Sequence, residues 1–291
     1  MLFDTIVSRE FIPKGWSGDR KYRAADNRGN FYLLRIAAPE RQARREGEFL
    51  RMQQAAALGI PMCRPLEFGT CPEGVYTLLS WVEGRDAEEY IPTLDPSRQY
   101  AYGLDAGRIL AKLHTIPAPA DAEDWETRFN IKIDRKLRMY AECPLKYENG
   151  DAFQRFIEAH RHLLSNRPQS YQHGDYHIGN MMVSTDDTLT VIDFEKDDWG
   201  DPWEEFNRIV WSAQAAPAFA SGMVDGYFPD GVPGDFWALL ALYISSNTLS
   251  SLPWAIPFGE NEIATMKNQA AQVLSWYNGM QSTIPSWYHK P

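Results

Sequence analysis

Three oxygen-bearing side chains near the middle of the sequence have a spacing that could do chemistry. Asp175 and Asn180 lie five residues apart in QHGDYHIGN, residues 172–180, and Asp193 follows thirteen residues after Asn180 in VIDFE. One carboxylate could accept or orient the proton of an attacking hydroxyl, while an amide oxygen and a second carboxylate could hold Mg²⁺ against nucleotide phosphates. The pattern predicts phosphoryl transfer, with Asp175 as the base and Asn180 and Asp193 as metal ligands.

Two short strands are expected to position these groups. Residues 180–183 and 189–194 are predicted to be strands, because their apolar residues flank the turn-forming segment TDDT at residues 185–188. Asp193 then lies at the end of the second strand.

The N-terminal part has a different character. Residues 4–12, 21–25, 31–37 and 76–80 are predicted to be strands separated by turn-rich segments, and Pro39 opens a helical stretch. We expect a small antiparallel sheet with one helix.

The remainder is predicted to be mainly helical. One helix is predicted to begin at Asp95 and Pro96 and to be terminated by Pro117. Later helices are expected over residues 235–247 and 261–277. Together these elements predict an α+β fold.

The composition describes a globular protein. Of 291 residues, 44% are hydrophobic and 23% charged, which excludes a disordered or fibrous chain. The 29 basic and 39 acidic residues give a net charge of −10, which argues against nucleic acid as a partner.

The charge is distributed unevenly. Residues 1–80 carry a net +3 and residues 81–291 a net −13, with nine carboxylates in residues 186–205. A mildly basic segment suits a phosphate-bearing ligand, and an acidic one suits a metal ion or a cationic substrate.

The three cysteines, Cys63, Cys71 and Cys143, suggest neither a disulfide set nor a metal-ligand spacing. The N-terminus lacks the pattern of a signal peptide, and the longest apolar run, residues 236–244, falls short of the roughly 20 residues of a membrane span. We expect a cytoplasmic protein without a membrane partner.

The pattern His-Gly-Asp, four residues, Asn, followed by an Ile-Asp-Phe strand end, resembles the aminoglycoside phosphotransferase family, whose relatives include protein kinases and choline kinases. The resemblance implies a two-lobed, protein-kinase-like α+β fold. Residues 1–81 would form the nucleotide-binding lobe, and residues 82–291 a helical lobe with the catalytic loop and the acceptor site. It implies transfer of the γ-phosphoryl group of ATP or GTP, with Mg²⁺, to a hydroxyl group.

The resemblance also assigns residues to the nucleotide by their backbone groups. Ser17 and Gly18 lie in the loop expected to cover the phosphates. Ser80 and Val82 lie in the segment that would hydrogen-bond the nucleotide base, a contact that does not distinguish ATP from GTP.

Arg35 occupies the third-strand position where the family usually presents a lysine to the α- and β-phosphates, so the resemblance assigns Arg35, together with Glu48, to binding of the nucleotide phosphates. Because a buried arginine needs an ionic partner, we expect it to pair with Glu48, or alternatively with Glu46. These two glutamates point about 200° apart on a helix, so only one of them can face inward.

Asp197 and Asp198 follow the metal-ligand strand and are candidates for binding the acceptor, while Asp201 and Glu205 are expected to be structural. The acidic C-terminal part favours a small cationic acceptor, and an aminoglycoside best fits it. Choline, a sugar or a macrolide are alternative acceptors, and a nucleotide-binding pseudokinase is an alternative of another class.

Overall fold

The structure, a computed structural model, describes residues 1–13 and 18–290. Ser17, predicted to lie at the phosphates, falls outside the described residues. The chain divides into two units: unit 1 comprises Met1–Ala87 and Asn180–Asp197, and unit 2 comprises Glu88–Gly179 and Asp198–Pro291.

The described strands are β1 (Ile6–Ile12), β2 (Arg20–Asp26), β3 (Phe31–Ala37), β4 (Pro65–Cys71), β5 (Gly74–Ser80), β6 (Gly84–Asp86), β7 (Ser170–Gln172), β8 (Met181–Ser184), β9 (Leu189–Val191) and β10 (Asp198–Gly200). The described α-helices are α1 (Gln42–Ala57), α2 (Ala87–Tyr90), α3 (Pro96–Leu113), α4 (Trp125–Glu142), α5 (Asp151–His160), α6 (Ile209–Ala215), α7 (Pro217–Tyr227), α8 (Gly234–Ala255) and α9 (Glu260–Trp276). This content confirms the α+β class.

Unit 1 is built on an antiparallel sheet with the strand order β1-β2-β3-β5-β4. Its core includes Leu34 and Ile36 of β3 and Tyr76 and Leu78 of β5, which alternate along their strands and are buried. The four predicted N-terminal strands are confirmed, but β4 was not predicted. Pro65 begins it, and its pairing with β5 compensates for a sequence that weakly favours a strand.

Residues 180–197 belong to unit 1 because backbone hydrogen bonds tie them to it. The strands β6, β8 and β9 form a three-stranded antiparallel sheet, and the Cys63 N–H donates to the Val191 carbonyl at 3.1 Å. The sequence analysis placed these residues in the C-terminal lobe, beyond a boundary at residue 81. Long-range pairing of this kind leaves no local signal in the sequence.

Unit 2 is helical apart from the short β7–β10 pair. Helices α3 and α7 pack closely through glycines: a Cβ on Gly103 would lie 2.1 Å from the Phe219 carbonyl oxygen, and one on Gly226 would lie 2.2 Å from that of Leu104. Helix α8 is buried around most of its circumference and continues to Ala255, beyond the predicted end at residue 247, because Leu249 and Leu252 extend its apolar surface. No helix among the described residues is long and apolar enough to cross a membrane.

Candidate functional site

Backbone contacts within unit 2 fix the loop that carries Asp175. Gly174 has φ of 81°, a left-handed conformation that glycine adopts without strain, and its N–H donates to Glu205 Oε1 at 2.9 Å. Glu205 is almost fully buried, and its Oε2 lies 4.0 Å from His114 Nε2. This agrees with the expected structural role of Glu205.

The second half of the loop is held by two neighbouring helices. The buried Tyr176 hydroxyl donates to the Ala106 carbonyl of α3 at 2.7 Å, and the Ile178 N–H donates to Ser212 Oγ of α6 at 3.0 Å. Asp175 therefore lies between residues whose positions are fixed on both sides.

Among the described residues, Arg208 and His177 place basic side chains near the Asp175 carboxylate. Arg208 Nε lies 3.3 Å from Oδ1 and His177 Nε2 lies 3.9 Å from the same oxygen. Arg208 follows Glu204 and Glu205 in a short 3-10 helix, so one turn of backbone carries groups that hold both the loop and its carboxylate. Arg208 was not predicted to have a role.

Glu204 lies in a group of cations. Its Oε1 is 3.2 Å from Lys132 Nζ, and its Oε2 accepts from Gln172 Nε2 at 3.2 Å. Burial opposes ionisation of Glu204, but Lys132 and Lys136 outweigh it and hold its pKa below the usual value. Burial, together with the charges of Lys132 and Arg208, lowers the pKa of Lys136 to about 7.

Asp201 stabilises unit 2 from its interior. The Arg167 guanidinium binds both its oxygens, at 2.7 and 3.0 Å, and the Tyr243 hydroxyl donates to Oδ2 at 2.6 Å. Its side chain is fully buried, which agrees with a structural role.

Within unit 1, strand pairing brings the two predicted metal ligands to neighbouring positions. The Asn180 carbonyl accepts from the Ile192 N–H at 3.0 Å, one residue before Asp193. Asp193 has φ of 65°, which few residues other than glycine adopt, and its side chain is 34% exposed. Its Oδ1 is buried and receives no hydrogen bond from the described residues.

Mg²⁺ is commonly bound through one or two carboxylates together with substrate phosphates. The unsatisfied Oδ1 of Asp193 and the adjacent Asn180 fit that kind of partial site, in which the nucleotide completes the coordination. Among residues 1–13 and 18–290, no group of three or more His, Cys, Asp or Glu side chains is arranged to hold a metal ion.

The expected direct pair between Arg35 and Glu48 is wrong. Arg35 Nη2 lies 3.1 Å from Asp19 Oδ2, the same oxygen that Arg45 Nη2 approaches at 2.7 Å, and Arg45 in turn pairs with Glu48. Arg35 and Glu48 are therefore linked only indirectly, through Asp19 and Arg45. The Asp19 side chain is 1% exposed, and its carboxylate binds both Arg35 and Arg45. Of the two candidate glutamates, Glu48 is buried and Glu46 is exposed.

Arg35 shares its remaining partners with Lys21. Arg35 pairs with Glu195 and lies 3.9 Å from Asp193 Oδ1. Lys21 Nζ lies 3.1 Å from Glu195 Oε1 and 3.6 Å from Asp193 Oδ2. Two cations therefore face two carboxylates, one of which is the predicted metal ligand Asp193.

The backbone groups predicted to bind the nucleotide are placed as follows. The Ser80 N–H already donates to the Arg64 carbonyl at 2.9 Å, and Ser80 Oγ accepts from the Arg64 N–H at 2.8 Å. Val82 follows the end of β5 in a segment without regular structure. Gly18 is exposed and packs near Arg41, whose Nη2 would lie 3.3 Å from an added Cβ.

The two acceptor candidates lie in different units. The Asp197 side chain is 1% exposed and pairs with Arg51 of α1. The Asp198 side chain is 55% exposed, with Arg128 Nη1 at 3.4 Å from its Oδ1. Of the two, only Asp198 presents its carboxylate to solvent.

Several charged residues of these clusters were not found by the sequence analysis: Asp19, Lys21, Arg45, Glu195 and Arg208. In the sequence, Asp19 directly follows Gly18, which was predicted to lie at the phosphates, Lys21 is two residues further on, and Glu195 lies two residues after Asp193. Their proximity to the motifs was the only signal in the sequence that could have identified them. Charged residues near a motif are common, and only the ion pairs of the folded structure distinguish those that belong to the site from those that do not.

The sequence profile of the family described as the phosphotransferase enzyme family (APH) matches residues 8–237. No curated protein sequence matches the chain significantly.

Solved structures resemble the chain over nearly its whole length. A thermostable mutant of aminoglycoside phosphotransferase APH(4)-Ia, in a ternary complex with ADP and hygromycin B, is 14% identical with a TM-score of 0.66, covering 94% of this chain and 95% of that chain. A choline/ethanolamine kinase family protein from Mesorhizobium loti is 16% identical with a TM-score of 0.64, and the match covers 95% of this chain and 91% of that chain. Amicoumacin kinase hAmiN, in complex with AMP-PNP, Ca²⁺ and Ami, is 14% identical with a TM-score of 0.65, and the match covers 97% of this chain and 90% of that chain. At these identities the likeness establishes a shared fold, and it confirms the expected kinase-like architecture.

Proposed function

The chain belongs to the phosphotransferase enzyme family, and from this premise we propose that it transfers the γ-phosphoryl group of ATP or GTP to a hydroxyl group of a small molecule. The observation that carries the proposal is the construction of the loop around Asp175. Hydrogen bonds fix residues on both sides of this aspartate, and Arg208 orients its carboxylate. A group held in this way can position the acceptor hydroxyl and receive its proton.

The donor is assigned to unit 1. Asn180 and Asp193 would hold Mg²⁺, which would neutralise charge on the phosphates when bound, and Arg35 supplies a permanent positive charge close to Asp193. The backbone carbonyl of Ser80 and the backbone of Val82 contact the base, since the Ser80 N–H is already used. The nucleotide complexes of the structurally similar kinases support this assignment.

The acceptor we propose is a small cationic alcohol, with an aminoglycoside as the first candidate. The net −13 of residues 81–291 supports a cation. Not every carboxylate there is available to a substrate, however, because Asp201 and Glu204 are paired with cations inside unit 2. Asp198, which is exposed, is therefore the carboxylate assigned to the acceptor.

The test is a coupled assay of ADP or GDP release with a panel of acceptors. The panel contains several aminoglycosides, choline, a neutral sugar and a macrolide, each with ATP or GTP and Mg²⁺. Turnover with an aminoglycoside supports the full proposal. Turnover with only choline, the sugar or the macrolide retains the kinase and rejects the aminoglycoside.

A chain that binds nucleotide but phosphorylates no member of a wide alcohol panel would instead be a nucleotide-binding module. Mass spectrometry of the products distinguishes real transfer, which adds one phosphoryl group to the acceptor, from slow hydrolysis of the nucleotide by water.

A further inference from the structure

Lys21 and Arg35 are directly opposite each other on neighbouring strands. In the β2–β3 ladder their Cα atoms are register partners, so both side chains leave the same face of the sheet. Two like charges in such positions repel each other unless anions separate them. Asp193 and Glu195 supply those anions, since each is approached by both cations.

Arg35 is bound more tightly by its carboxylate partners than Lys21 is. The Arg35 guanidinium is fixed on one side by Asp19, at 3.1 Å, and on another by Glu195, and both of these carboxylates are largely buried. Lys21 shares Glu195 but also reaches Asp193 at 3.6 Å, beyond ordinary hydrogen-bond distance. The looser contact involves the more exposed carboxylate, so Lys21 can leave Asp193 at a smaller cost than Arg35 can leave its partners.

A divalent cation on Asp193 would replace the positive charge that Lys21 now provides. The ammonium group would then lie beside a neutralised carboxylate, and phosphate oxygens would be its natural new partners. Lysine suits this exchange because its compact charge has three donors on a flexible chain, whereas arginine favours a fixed planar geometry.

We propose that Lys21, on β2, is a phosphate-binding residue for the nucleotide donor, and that Arg35 mainly holds Asp19 and Glu195 in place beside it. The inference rests on the proposed function, because it assumes that the donor phosphates and their metal ion bind at Asp193. It gives to β2 a contact that the sequence analysis assigned to β3.

The test measures binding by isothermal titration calorimetry for Mg²⁺–ADP and, separately, for adenosine. Lys21→Met should weaken Mg²⁺–ADP binding by roughly tenfold or more, as expected for one lost charge-assisted contact, and leave adenosine binding unchanged. Lys21→Arg should recover part of the affinity, since it retains the charge. The matched control is Arg20→Met, on the same strand, whose side chain pairs with Glu73 and should not affect either ligand.

A purely structural role for Lys21 predicts something else. Affinity for both ligands would fall together with the thermal unfolding midpoint, and that result overturns the inference. Unchanged Mg²⁺–ADP affinity in Lys21→Met also overturns it while leaving the proposed function intact. A wild-type chain that fails to bind Mg²⁺–ADP overturns both.

Discussion

Arg208 Nε lies 3.3 Å from Oδ1 of Asp175, and the two residues come from segments 33 positions apart in the sequence. The short helix that carries Arg208 also carries Glu205, which binds the backbone of Gly174. One element therefore sets both the position of the loop and the direction of its carboxylate.

Asp175→Asn should abolish transfer while leaving Mg²⁺–ADP affinity near that of the wild type. The amide has nearly the same shape but cannot accept a proton, so we expect the turnover number to fall by roughly 10²–10⁴-fold. Steady-state kinetics and calorimetry measure the two quantities. Asp105→Asn, an exposed carboxylate on α3, is the matched control and should retain activity.

Arg208→Met should lower the turnover number by roughly tenfold to a hundredfold, because a misdirected carboxylate places the hydroxyl poorly. Arg208→Lys should retain an intermediate rate, since it keeps the charge but loses the planar geometry. Donor affinity is the internal reference and should change little. Equal losses in donor affinity and turnover would contradict an orienting role. Arg155→Met, which removes an exposed arginine paired with Asp151, serves as the control.

Asp193→Asn should weaken nucleotide binding chiefly through the metal ion. We expect the Mg²⁺ concentration needed for half-maximal ADP binding to rise by roughly tenfold or more, because an amide is a weaker ligand than a carboxylate. Calorimetric titrations of ADP at several Mg²⁺ concentrations measure this shift. Asp186→Asn, in the turn between β8 and β9, should leave the Mg²⁺ dependence as in the wild type. A decrease in affinity that is the same at every Mg²⁺ concentration would argue against Asp193 as a ligand.

Asp19→Asn should destabilise unit 1. The carboxylate is almost fully buried and contacts Arg35, Arg41 and Arg45. Its neutralisation removes one counter-ion from the two buried arginines, Arg35 and Arg45, which then retain only Glu195 and Glu48 as close anionic partners among the described residues. We expect a loss of roughly 3 kcal/mol in the free energy of unfolding, measured with urea. Glu73→Gln removes an exposed partner of Arg9 and should cost less than about 1 kcal/mol. Comparable losses in the two variants would be inconsistent with a buried network.

Lys136 should make stability depend on pH. Burial and the charges of Lys132, Arg208 and Arg135, only partly offset by Glu204, lower its pKa from an ordinary value of 10.5 to about 7. Between these two values the unfolded chain binds more protons at this position than the folded chain does. Its contribution to stability therefore rises with pH across that window.

Lys136→Met removes the ionisable group and with it this contribution. The free energy of unfolding of the variant should exceed that of the wild type most near pH 6.5, where Lys136 is charged in the folded wild type. The difference should shrink towards pH 10, and urea unfolding at several pH values measures it. Lys112→Met, which removes an exposed lysine of α3, should give a curve parallel to that of the wild type. Parallel curves for Lys136→Met as well would contradict the assigned pKa.

Most of the fold could be predicted from local patterns. Strands β1, β2, β3 and β5 follow from runs of β-forming residues between turns, and α3 follows from the Asp95 cap, whose side chain accepts the Arg98 N–H at 3.1 Å. Strand β4 could not be predicted, because its conformation is selected by pairing with β5. The membership of residues 180–197 in unit 1 depends likewise on hydrogen bonds to distant strands.

The partners of the charged residues were the least predictable feature. Arg35 was expected to require a buried counter-ion. Within the described residues it lies near Asp19, Asp193 and Glu195, and Glu48 is not among its ionic partners. Asp19 binds both Arg35 of β3 and Arg45 of α1. The path of the backbone just before β2 determines this placement, and the sequence gives no local signal for it. Helical periodicity could exclude one of Glu46 and Glu48 from the interior, but it could not identify the partner of the other.

The sequence by itself determined the chemistry that is available: the types and order of Asp175, Asn180 and Asp193 are covalent facts, and only a few reactions use such a set. The tertiary structure alone decided which cations accompany them. Ion pairs act over a few ångströms and join residues that the sequence separates by up to about 170 positions, as Lys21 and Asp193 show. Since burial fixes the strength of each pair, the charge balance around each functional group exists only once the chain has folded.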